Sequence, residues 1–438
     1  MRFVYSLSGS DADRMLLLSL AVSVAGIIAG LTFILLRRLI RTRYFRRRDA
    51  HALFMRTHWD RIVRGEIAPA RWSFDPVARG VVEEMVLERL DTSSGEELER
   101  LRALIRVSGL LDGQIDQVRR CRGWRRRKAL LTLGRMQLPE CVPVLSEALE
   151  DLRDGVVVDA IRALGRVGNA DAGEAIVKRL SRSAVTCPAQ ALESALANCY
   201  KNDPSGLMEL VLTANDAMRP AIARALAAVA RPGMQGNFLA LASDPLADVR
   251  ATAARIFALA RPAGAFSTLT KLAGDPEWFV RLRTMVALGD LHDPAAITVL
   301  LSGLCDINRL VRLRAASALA GVDGHEQGIL HLVTLTKDRY ALQVLVSEMQ
   351  RAGAFSRMVE ALATDSQRAS AESGLRMAIA GGANRMLLNL VLRHPNASVR
   401  ENLARILAQS SEMAVLSPPE SSRTDENSTA APQEVRMA

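Results

Sequence analysis

The chain has 438 residues, of which 49% are hydrophobic but only 4% aromatic, and its net charge is +10. Abundant alanine and leucine with few β-branched runs predict an all-α protein and argue against a sheet. The positive charge lies in two short N-terminal blocks, whereas residues 129–438 hold 32 basic and 32 acidic residues. A neutral body of this size argues against nucleic acid as a partner.

The first predicted element is a transmembrane helix at residues 15–36, after an external tail at residues 1–14. Its sequence, MLLLSLAVSVAGIIAGLTFILL, has no charged residue, and as a helix it is about 33 Å long, which matches a bilayer core. A buried core helix is one alternative, but core helices seldom stay apolar on every face. A cleaved signal peptide is another, but it needs positive charges before the apolar run, and here they follow it.

The next segment, RRLIRTRYFRRR at residues 37–48, has seven arginines and no acid. Basic flanks stay in the cytoplasm, so we expect a single-pass bacterial inner-membrane protein with its N-terminus outside and its body cytoplasmic. Each basic side chain at an anionic lipid surface gains about 1 kcal/mol. The predicted lipid-contacting residues are Arg37, Arg38, Arg41, Arg43, Arg46, Arg47 and Arg48.

Residues 37–118 are predicted to form a basic juxtamembrane and helical membrane-proximal region, with turns at residues 68–69, 75–76 and 91–97. His51 and His58 lack a third ligand nearby and are interpreted as solvated or packed side chains. The block RRCRGWRRRK at residues 119–128 carries seven positive charges. It can be a capping repeat whose polar end faces anionic lipid or the membrane-proximal helices, or it can support an enzymatic role such as action on DNA, and its role is left open.

From about residue 120 the chain repeats itself every 31 residues. DPLADVRATAARIFALA from Asp244, DPEWFVRLRTMVALGD from Asp275 and DINRLVRLRAASALAG from Asp306 align without a gap. Two apolar positions keep the same offset. The first occurs at Leu133, Leu164, Ala195, Leu226, Phe257, Leu288 and Leu319, and the second at Leu145, Ile176, Leu207, Phe238, Leu269 and Leu300.

Each repeat has two apolar-periodic segments joined by a short turn, which predicts a helical hairpin. One hairpin cannot bury its apolar face alone, so stacked hairpins are expected to form an α-solenoid. Asp before Pro suits a helix N-cap, and the Arg six residues later can reach that turn or its neighbour's. The predicted ladder consists of Asp244, Arg250, Asp275, Arg281, Asp306 and Arg312.

These repeats resemble the HEAT repeat family in its short bacterial, phycobilisome-lyase-type form. The resemblance rests on D-P-x-x-x-V-R at residues 244–250 and 275–281 and on A-L-G at residues 163–165 and 287–289. It implies an α-solenoid at residues 119–411. The polar, proline-bearing composition of residues 412–438 predicts a disordered tail. The pattern is broken at Pro188, which occupies the Arg position, and it slips by one residue after Asp338.

The sequence contains no recognised catalytic motif, and we expect no cofactor and no metal site. Five cysteines lie scattered without metal-ligand spacing, which favours free thiols. An aromatic pair, Trp278 and Phe279, follows the turn at Asp275. The residues that align with this pair in the neighbouring repeats are small or polar. They are Ala247 and Asp248 in one repeat, and Asn308 and Arg309 in the other. The pair is the candidate partner contact, and the alternative is packing against the adjacent repeat.

Together these features predict a membrane-anchored HEAT-repeat scaffold, not an enzyme, that binds a membrane-associated protein partner, with a role in envelope or polysaccharide biogenesis. The alternative is a HEAT-like enzyme of the lyase or DNA glycosylase type, or a solenoid that binds lipid or nucleic acid. The resemblance implies protein binding more often than catalysis, and the neutral body gives DNA no electrostatic footprint. The sequence does not identify the partner or the oligomeric state.

Overall fold

The computed structural model describes residues 9–67, 75–151, 153–182 and 187–416, which form 24 α-helices, one 3-10 turn and no strand. The all-α prediction is therefore confirmed. The chain divides into two compact units, residues 1–225 and residues 226–438. The predicted tails lie largely outside the described residues, as does the predicted turn at residues 68–69.

The first unit contains the N-terminal helix, a short set of helices that follows it and the first repeats. Its helices are α1 Gly9–Thr57, α2 Trp59–Val63, α3 Pro76–Leu90, α4 Glu96–Val107, α5 Leu110–Arg120, α6 Gly123–Met136, α7 Val142–Ala148, α8 Asp154–Val167, α9 Ala170–Arg182, α10 Ala189–Cys199, α11 Ser205–Thr213 and the start of α12 Arg219–Val229. A 3-10 turn, Pro139–Cys141, precedes α7.

The second unit is made of helical hairpins throughout. Its helices are α13 Phe238–Ala242, α14 Ala247–Ala260, α15 Ala265–Leu272, α16 Trp278–Leu291, α17 Ala296–Leu304, α18 Arg309–Ala320, α19 Glu326–Leu335, α20 Arg339–Arg351, α21 Ala354–Ala361, α22 Asp365–Ala380, α23 Asn384–Arg393 and α24 Ala397–Leu416. The last helix thus extends past residue 411, the predicted end of the repeats.

The N-terminal helix α1 is a single continuous element of 49 residues, about 73 Å long. It runs without a break through the predicted span at residues 15–36 and the arginine segment, and every side chain of that span is exposed. Its last turns pack on α3, where Met55 is buried. Arg48 forms a 2.7 Å ion pair with Glu84 there.

Helix α3 begins where the sequence predicts a turn, at residues 75–76. Asp75 is the N-cap, its carboxylate accepts a hydrogen bond from the Val77 amide, and Pro76 fills the first helical position. The same carboxylate lies 3.1 Å from the His51 ring of α1. One acid therefore caps α3 and ties it to the end of α1.

The repeats form two layers of helices. In the second unit the longer helices α14, α16, α18 and α20 pack side by side, while α13, α15 and α17 cover them. In the first unit α6, α8 and α10 pack in the same way, with α7 and α9 as the second layer. Both predicted apolar ladders are buried along their whole length, so the hairpin and solenoid prediction is confirmed.

The backbone repeats as regularly as the sequence. Gln137, Gly168, Arg261 and His292 are all left-handed C-caps, and their spacing is 31 residues or a multiple of it. A left-handed residue ends a helix because it turns the chain away from the helix axis. Three of these four residues are not glycine. The repeated C-cap is therefore not visible in the sequence as a repeated glycine.

The predicted N-caps of the repeats are wrong in one respect. Helices α14 and α16 begin three residues after Asp244 and Asp275, with Leu246 and Glu277 as their N-caps. Each Asp carboxylate instead accepts a hydrogen bond from the amide two residues later, at 2.8 Å for Leu246 and 2.9 Å for Glu277. The Asp therefore closes a turn before the helix, because Pro and its neighbour form the bend that connects the two repeats.

Glycine allows neighbouring repeats to approach closely. A Cβ atom on Gly165 would lie 2.5 Å from the Cα atom of Ala195, and one on Gly134 would lie 2.6 Å from the Cα atom of Ala163. The same relation joins Gly289 to the Cβ atom of Ala318, at 2.8 Å. The A-L-G motif is therefore a packing motif, since its glycine faces a small residue of the next repeat.

The stacking changes after α20. The N-caps of α14, α16 and α18 are 31 residues apart, but that of α20, Asp338, follows Asn308 by only 30 residues. Beyond this point α22 packs against α19. The repeat motif returns in α24, where Arg400 donates to the His394 and Pro395 carbonyls at 2.7 and 2.9 Å. The sequence-predicted slip after Asp338 thus corresponds to a changed helix packing.

We expect Gly165→Ala to destabilise the repeat stack by about 1–3 kcal/mol, because the added methyl group meets the backbone of Ala195. The matched control is Gly328→Ala in α19, where a Cβ atom has no neighbour within 4 Å. That change should be neutral or stabilise the helix by up to about 1 kcal/mol. Urea denaturation midpoints measure both variants, and equal midpoints would contradict the close-packing role of Gly165.

Candidate functional site

The repeat ladder is a chain of two-pronged ion pairs that link one repeat to the next. Arg250 of α14 donates from Nε to Oδ2 of Asp275 at 2.7 Å and from Nη2 to Oδ1 at 3.0 Å. Its Nη1 donates to the Asp244 and Pro245 carbonyls at 3.0 and 3.1 Å. One guanidinium thus binds the turn before its own repeat and the turn before the next repeat. Lysine cannot make these contacts together, because it lacks the planar fork of N–H donors.

Arg281 repeats this arrangement one unit later. Its Nε and Nη2 donate to the Asp306 carboxylate at 2.6 and 2.9 Å, and its Nη1 donates to the Asp275 carbonyl at 2.8 Å. Both ion pairs are largely buried. Asp275 therefore receives Arg250 of the preceding repeat on its carboxylate and Arg281 of its own repeat on its carbonyl, so that one residue joins two successive repeats.

The ion pair sets the charge state of these acids. Burial of the Asp275 carboxyl disfavours its ionised form, but hydrogen bonds from Arg250 and the Glu277 amide outweigh burial and hold its pKa below the usual range. The pKa of Asp306 is lowered by the same balance, with Arg281 and the Asn308 amide opposing burial. The stability from these carboxylates is present above the pKa of the unfolded chain and is lost as pH falls through the folded value.

The ladder is incomplete at Arg312. Its Nη1 donates to the Asp306 carbonyl at 2.8 Å, as in the earlier repeats. Its Nε is buried and has no hydrogen-bond partner among the described residues. The next Asp, Asp338, comes one residue later than the 31-residue register requires and instead caps α20 through the Ala341 amide. The register slip therefore removes the acid that would complete the ladder.

One member of the ladder was missed in the sequence. Arg126 donates to Asp151 at 2.5 Å, and Asp151 accepts a hydrogen bond from the Arg153 amide at 2.9 Å. Both residues lie four repeat lengths before Arg250 and Asp275. The signal was present in the spacing, but Arg126 lies in a run of basic residues that conceals which arginine keeps the register.

The basic block at residues 119–128 is largely neutralised by acids. Besides Arg126, Arg127 pairs at 2.5 Å with the buried Asp159. Arg120 and Arg119 lie 3.3 and 3.8 Å from acidic side chains. Arg126 and Arg127 thus form contacts between repeats, whereas the Arg120 pair lies within α5, and the role of the block as a whole stays open.

The aromatic pair is positioned at the start of α16. The rings of Trp278 and Phe279 meet edge to face with centroids 6.0 Å apart. Trp278 is 42% exposed, whereas Phe279 is half-buried. The alignment with Asn308 and Arg309 is wrong by one residue, because an offset of 31 places Arg309 and Leu310 opposite the pair. The following repeat therefore also has an apolar residue at this edge.

The arginine segment of α1 divides into two parts. Arg37, Arg38, Arg41, Arg43, Arg46 and Arg47 are exposed. Arg48 is half-buried and held by Glu84 of α3. Lipid contact by all seven arginines stays a prediction, but Arg48 also has a structural role, since it joins the helix to the body.

An open cleft of about 440 Å³ lies beside the ends of α16 and α18. It is lined by His292, His325, Arg314 and Asp290, among others. The Nδ1 atoms of His292 and His325 lie 2.9 and 3.1 Å from the carbonyls of the Asp two residues before each. Within the described residues, no three His, Cys, Asp or Glu side chains come together to bind a metal.

The thiols are unsuited to nucleophilic chemistry where they are buried. Cys141 and Cys199 are buried, and this burial raises the pKa of each to about 12. A reactive thiol needs a lowered pKa. Cys305 is exposed, but burial of its sulfur also raises its pKa.

Comparison with known proteins identifies the repeats. Residues 234–320 match the model of HEAT repeats, and residues 125–151 match that of the PBS lyase HEAT-like repeat. No curated protein matches the chain. An engineered protein of known crystal structure is 18% identical, with 80% of this chain and 98% of that chain covered at a TM-score of 0.31.

A second solved structure is the complex of CpcE and CpcF of phycocyanin lyase from Nostoc sp. PCC7120. It is 17% identical, covers 57% of this chain and 93% of that chain, and has a TM-score of 0.23. Scores this low carry no argument about function. The two family models, by contrast, match the segments in which the ladder ion pairs and the buried apolar positions recur.

We expect Arg281→Ala to destabilise the second unit by about 1.5–3 kcal/mol, the range for a hydrogen bond to a charged group, because Asp306 is left part-buried without its partner. The matched control is Arg283→Ala on the same helix, where the side chain is exposed and unpaired within the described residues. Chemical denaturation followed by circular dichroism measures both. Equal midpoints for Arg281→Ala and wild type would remove the ladder as a source of stability.

Proposed function

The chain is a HEAT-repeat protein, and on that premise we propose that it is a membrane-anchored scaffold. In this proposal it binds a protein partner at the cytoplasmic face of a bacterial inner membrane. Its anchor is the apolar span of α1, and its binding surface belongs to the repeats.

The observation that carries the proposal is the exposure of the apolar span. Residues 15–36 have a high mean hydropathy, and none of the span is buried by the described part of the chain. Leaving a large apolar side chain in water costs about 1.5–3 kcal/mol relative to burial. A bilayer would cover the whole span at once, whereas a soluble chain would have to hide it in its own core.

Continuity of α1 supports a retained anchor over a cleaved signal sequence. The helix passes from the span through the arginines and ends against α3, where Met55 is buried and Arg48 pairs with Glu84. A helix that is part of the fold at one end and apolar at the other would hold the first unit close to the membrane. The arginines after the span support a cytoplasmic body.

The repeats themselves support a binding role more than catalysis. The PBS lyase HEAT-like match covers only residues 125–151, and Arg126 and Arg127 in that segment are used in ion pairs between repeats. No observation favours a lyase or a DNA glycosylase over a scaffold. Envelope or polysaccharide biogenesis as the pathway, and a membrane-associated partner, stay predictions from the sequence.

Membrane topology is the first test. A reporter fused after Ala438 is expected to be active only as a cytoplasmic reporter, and one fused before Arg2 only as an external one, because the arginines follow the span. Alkaline phosphatase and green fluorescent protein fusions measure this. Cleavage of the body by protease added outside intact cells would contradict the proposed orientation.

The scaffold role predicts that the span matters only as an anchor. Replacing residues 15–36 with an unrelated single-pass segment should preserve membrane placement of the partner, because α1 still ends against α3. Deleting residues 1–36 should leave a soluble solenoid that still binds its partner but no longer places it at the membrane, since tethering raises local concentration without adding a contact. Site-specific crosslinking in native membranes, followed by mass spectrometry of membrane and soluble fractions, identifies the partner and its location.

Two results would overturn the scaffold proposal. One is a partner that remains membrane-bound and functional in cells after residues 1–36 are deleted. The other is substrate turnover by the purified full-length chain in the absence of any partner.

A further inference from the structure

Apolar side chains, two of them exposed and one half-buried, form a row along one edge of the second unit. Phe279, Leu310 and Tyr340 each occupy the second position of their helix, in α16, α18 and α20. Leu310 and Tyr340 are 48% and 73% exposed. We call these three residues the apolar row.

Two more apolar side chains flank the apolar row. Trp278 precedes Phe279, and Ile307, in the turn before α18, is 91% exposed. The equivalent second position of α14, which packs beside α16, is the exposed Asp248. The apolar surface thus begins at α16 and is bordered by a polar residue on the α14 side, which is typical of a binding site and not of scattered surface residues.

Cations accompany the apolar row. Arg283 and Arg314 come four residues after Phe279 and Leu310, and residues four apart share one face of a helix. Arg309 and Arg339 are the first residues of α18 and α20. All four arginines are exposed, and within the described residues none forms an ion pair.

Acids at this edge do not neutralise those arginines. Asp306 is occupied by Arg281, and Asp338 accepts the hydrogen bond that caps α20. Glu277, the N-cap of α16, is exposed. The edge therefore offers four unpaired cations beside an apolar row, which complements a segment that carries both carboxylates and apolar side chains.

The spacing expected for the row matches one extended conformation of that segment. Neighbouring packed helices lie about 8–10 Å apart, so Phe279, Leu310 and Tyr340 should recur at about this interval. A polyproline II helix has three residues per turn and a rise of about 3.1 Å, which returns a side chain to one face every 9 Å or so. A β-strand returns one about every 6.7 Å and does not match.

From this geometry we infer that the edge of α16, α18 and α20 binds an acidic polypeptide segment in an extended, polyproline II-like conformation, with an apolar side chain at every third residue. The apolar side chains pack on the apolar row, and the carboxylates pair with Arg283 and Arg314. This inference rests on the proposed scaffold function, to which it adds the chemistry of the partner. An anionic lipid surface is the competing occupant, but a fluid membrane would not use the regular interval of the row.

The test uses the full-length chain in nanodiscs of zwitterionic lipid and labelled peptides of about twelve residues, long enough to span three helices. The probe repeats the triplet Leu-Pro-Glu. One control repeats Leu-Pro-Lys, and a second alternates Leu and Glu. Fluorescence anisotropy should give an affinity for the Leu-Pro-Glu peptide at least about tenfold higher than for either control, because only it matches both charge and spacing.

Matched variants locate the binding site. Leu310→Ser combined with Tyr340→Ser should weaken Leu-Pro-Glu binding about tenfold, whereas Leu335→Ser, at an exposed leucine of α19, should not. Arg283→Glu combined with Arg314→Glu should weaken binding and reduce its salt dependence, whereas Arg255→Glu, an exposed residue of α14, should leave both unchanged.

Equal affinity for the three peptides, or equal effects of the row and control variants, would overturn the inference. So would a result in which Leu310→Ser with Tyr340→Ser abolishes capture by phosphatidylserine vesicles but leaves peptide binding intact, since the edge would then bind lipid. These outcomes leave the anchored scaffold standing with its partner on another surface. Failure of the scaffold proposal is detected separately, by the anchor deletion in cells.

Discussion

The fold depends on one constraint, that no helical hairpin of this chain can bury its apolar face without the next. Two interactions stabilise the stacking of neighbouring hairpins, one between the packed helices and one at the edge. Small residues such as Gly165 and Ala195 let neighbouring helices touch through their backbones. At the edge, Arg250 and Asp275 join successive inter-repeat turns through a two-pronged, largely buried ion pair. Close packing supplies the attraction, and the ion pair fixes the register because its geometry tolerates little displacement.

Much of this organisation could be predicted from the sequence because it depends on periodicity. The apolar ladders are buried as predicted, since burial follows directly from a repeated apolar position. Periodicity could not predict details in which the role of a residue changes when its position shifts by one or two residues. Asp275 was expected to cap α16 but closes a turn before it, because the helix starts only after a bend that the Asp-Pro pair does not encode by itself. Arg126 was hidden among neighbouring arginines although its register was correct.

The N-terminal helix illustrates a different limit of sequence patterns. Hydropathy identifies the span and the arginines identify its flank, so both can be predicted from composition. Composition does not reveal that the helix continues to Thr57 and ends against α3, because that depends on Met55 and on the pairing of Arg48 with Glu84. The flank is thus also part of the first unit, and its arginines cannot be assigned to a linker by composition alone.

The repeat register of the second unit is constant up to α18 and changes at α20, and the ladder ends at this change. From α14 to α18 the register is constant, and the ladder arginines of α14 and α16 each pair with the Asp of the next repeat. At α20 the register shortens, and the Nε atom of Arg312 is left without a partner among the described residues. The apolar row extends across this same transition, from Phe279 to Tyr340. Sequences that fold well depart from local consistency mainly where function requires it. An unpaired buried donor and the apolar row, with its exposed Leu310 and Tyr340, therefore point to the same edge, since neither improves the stacking of the repeats.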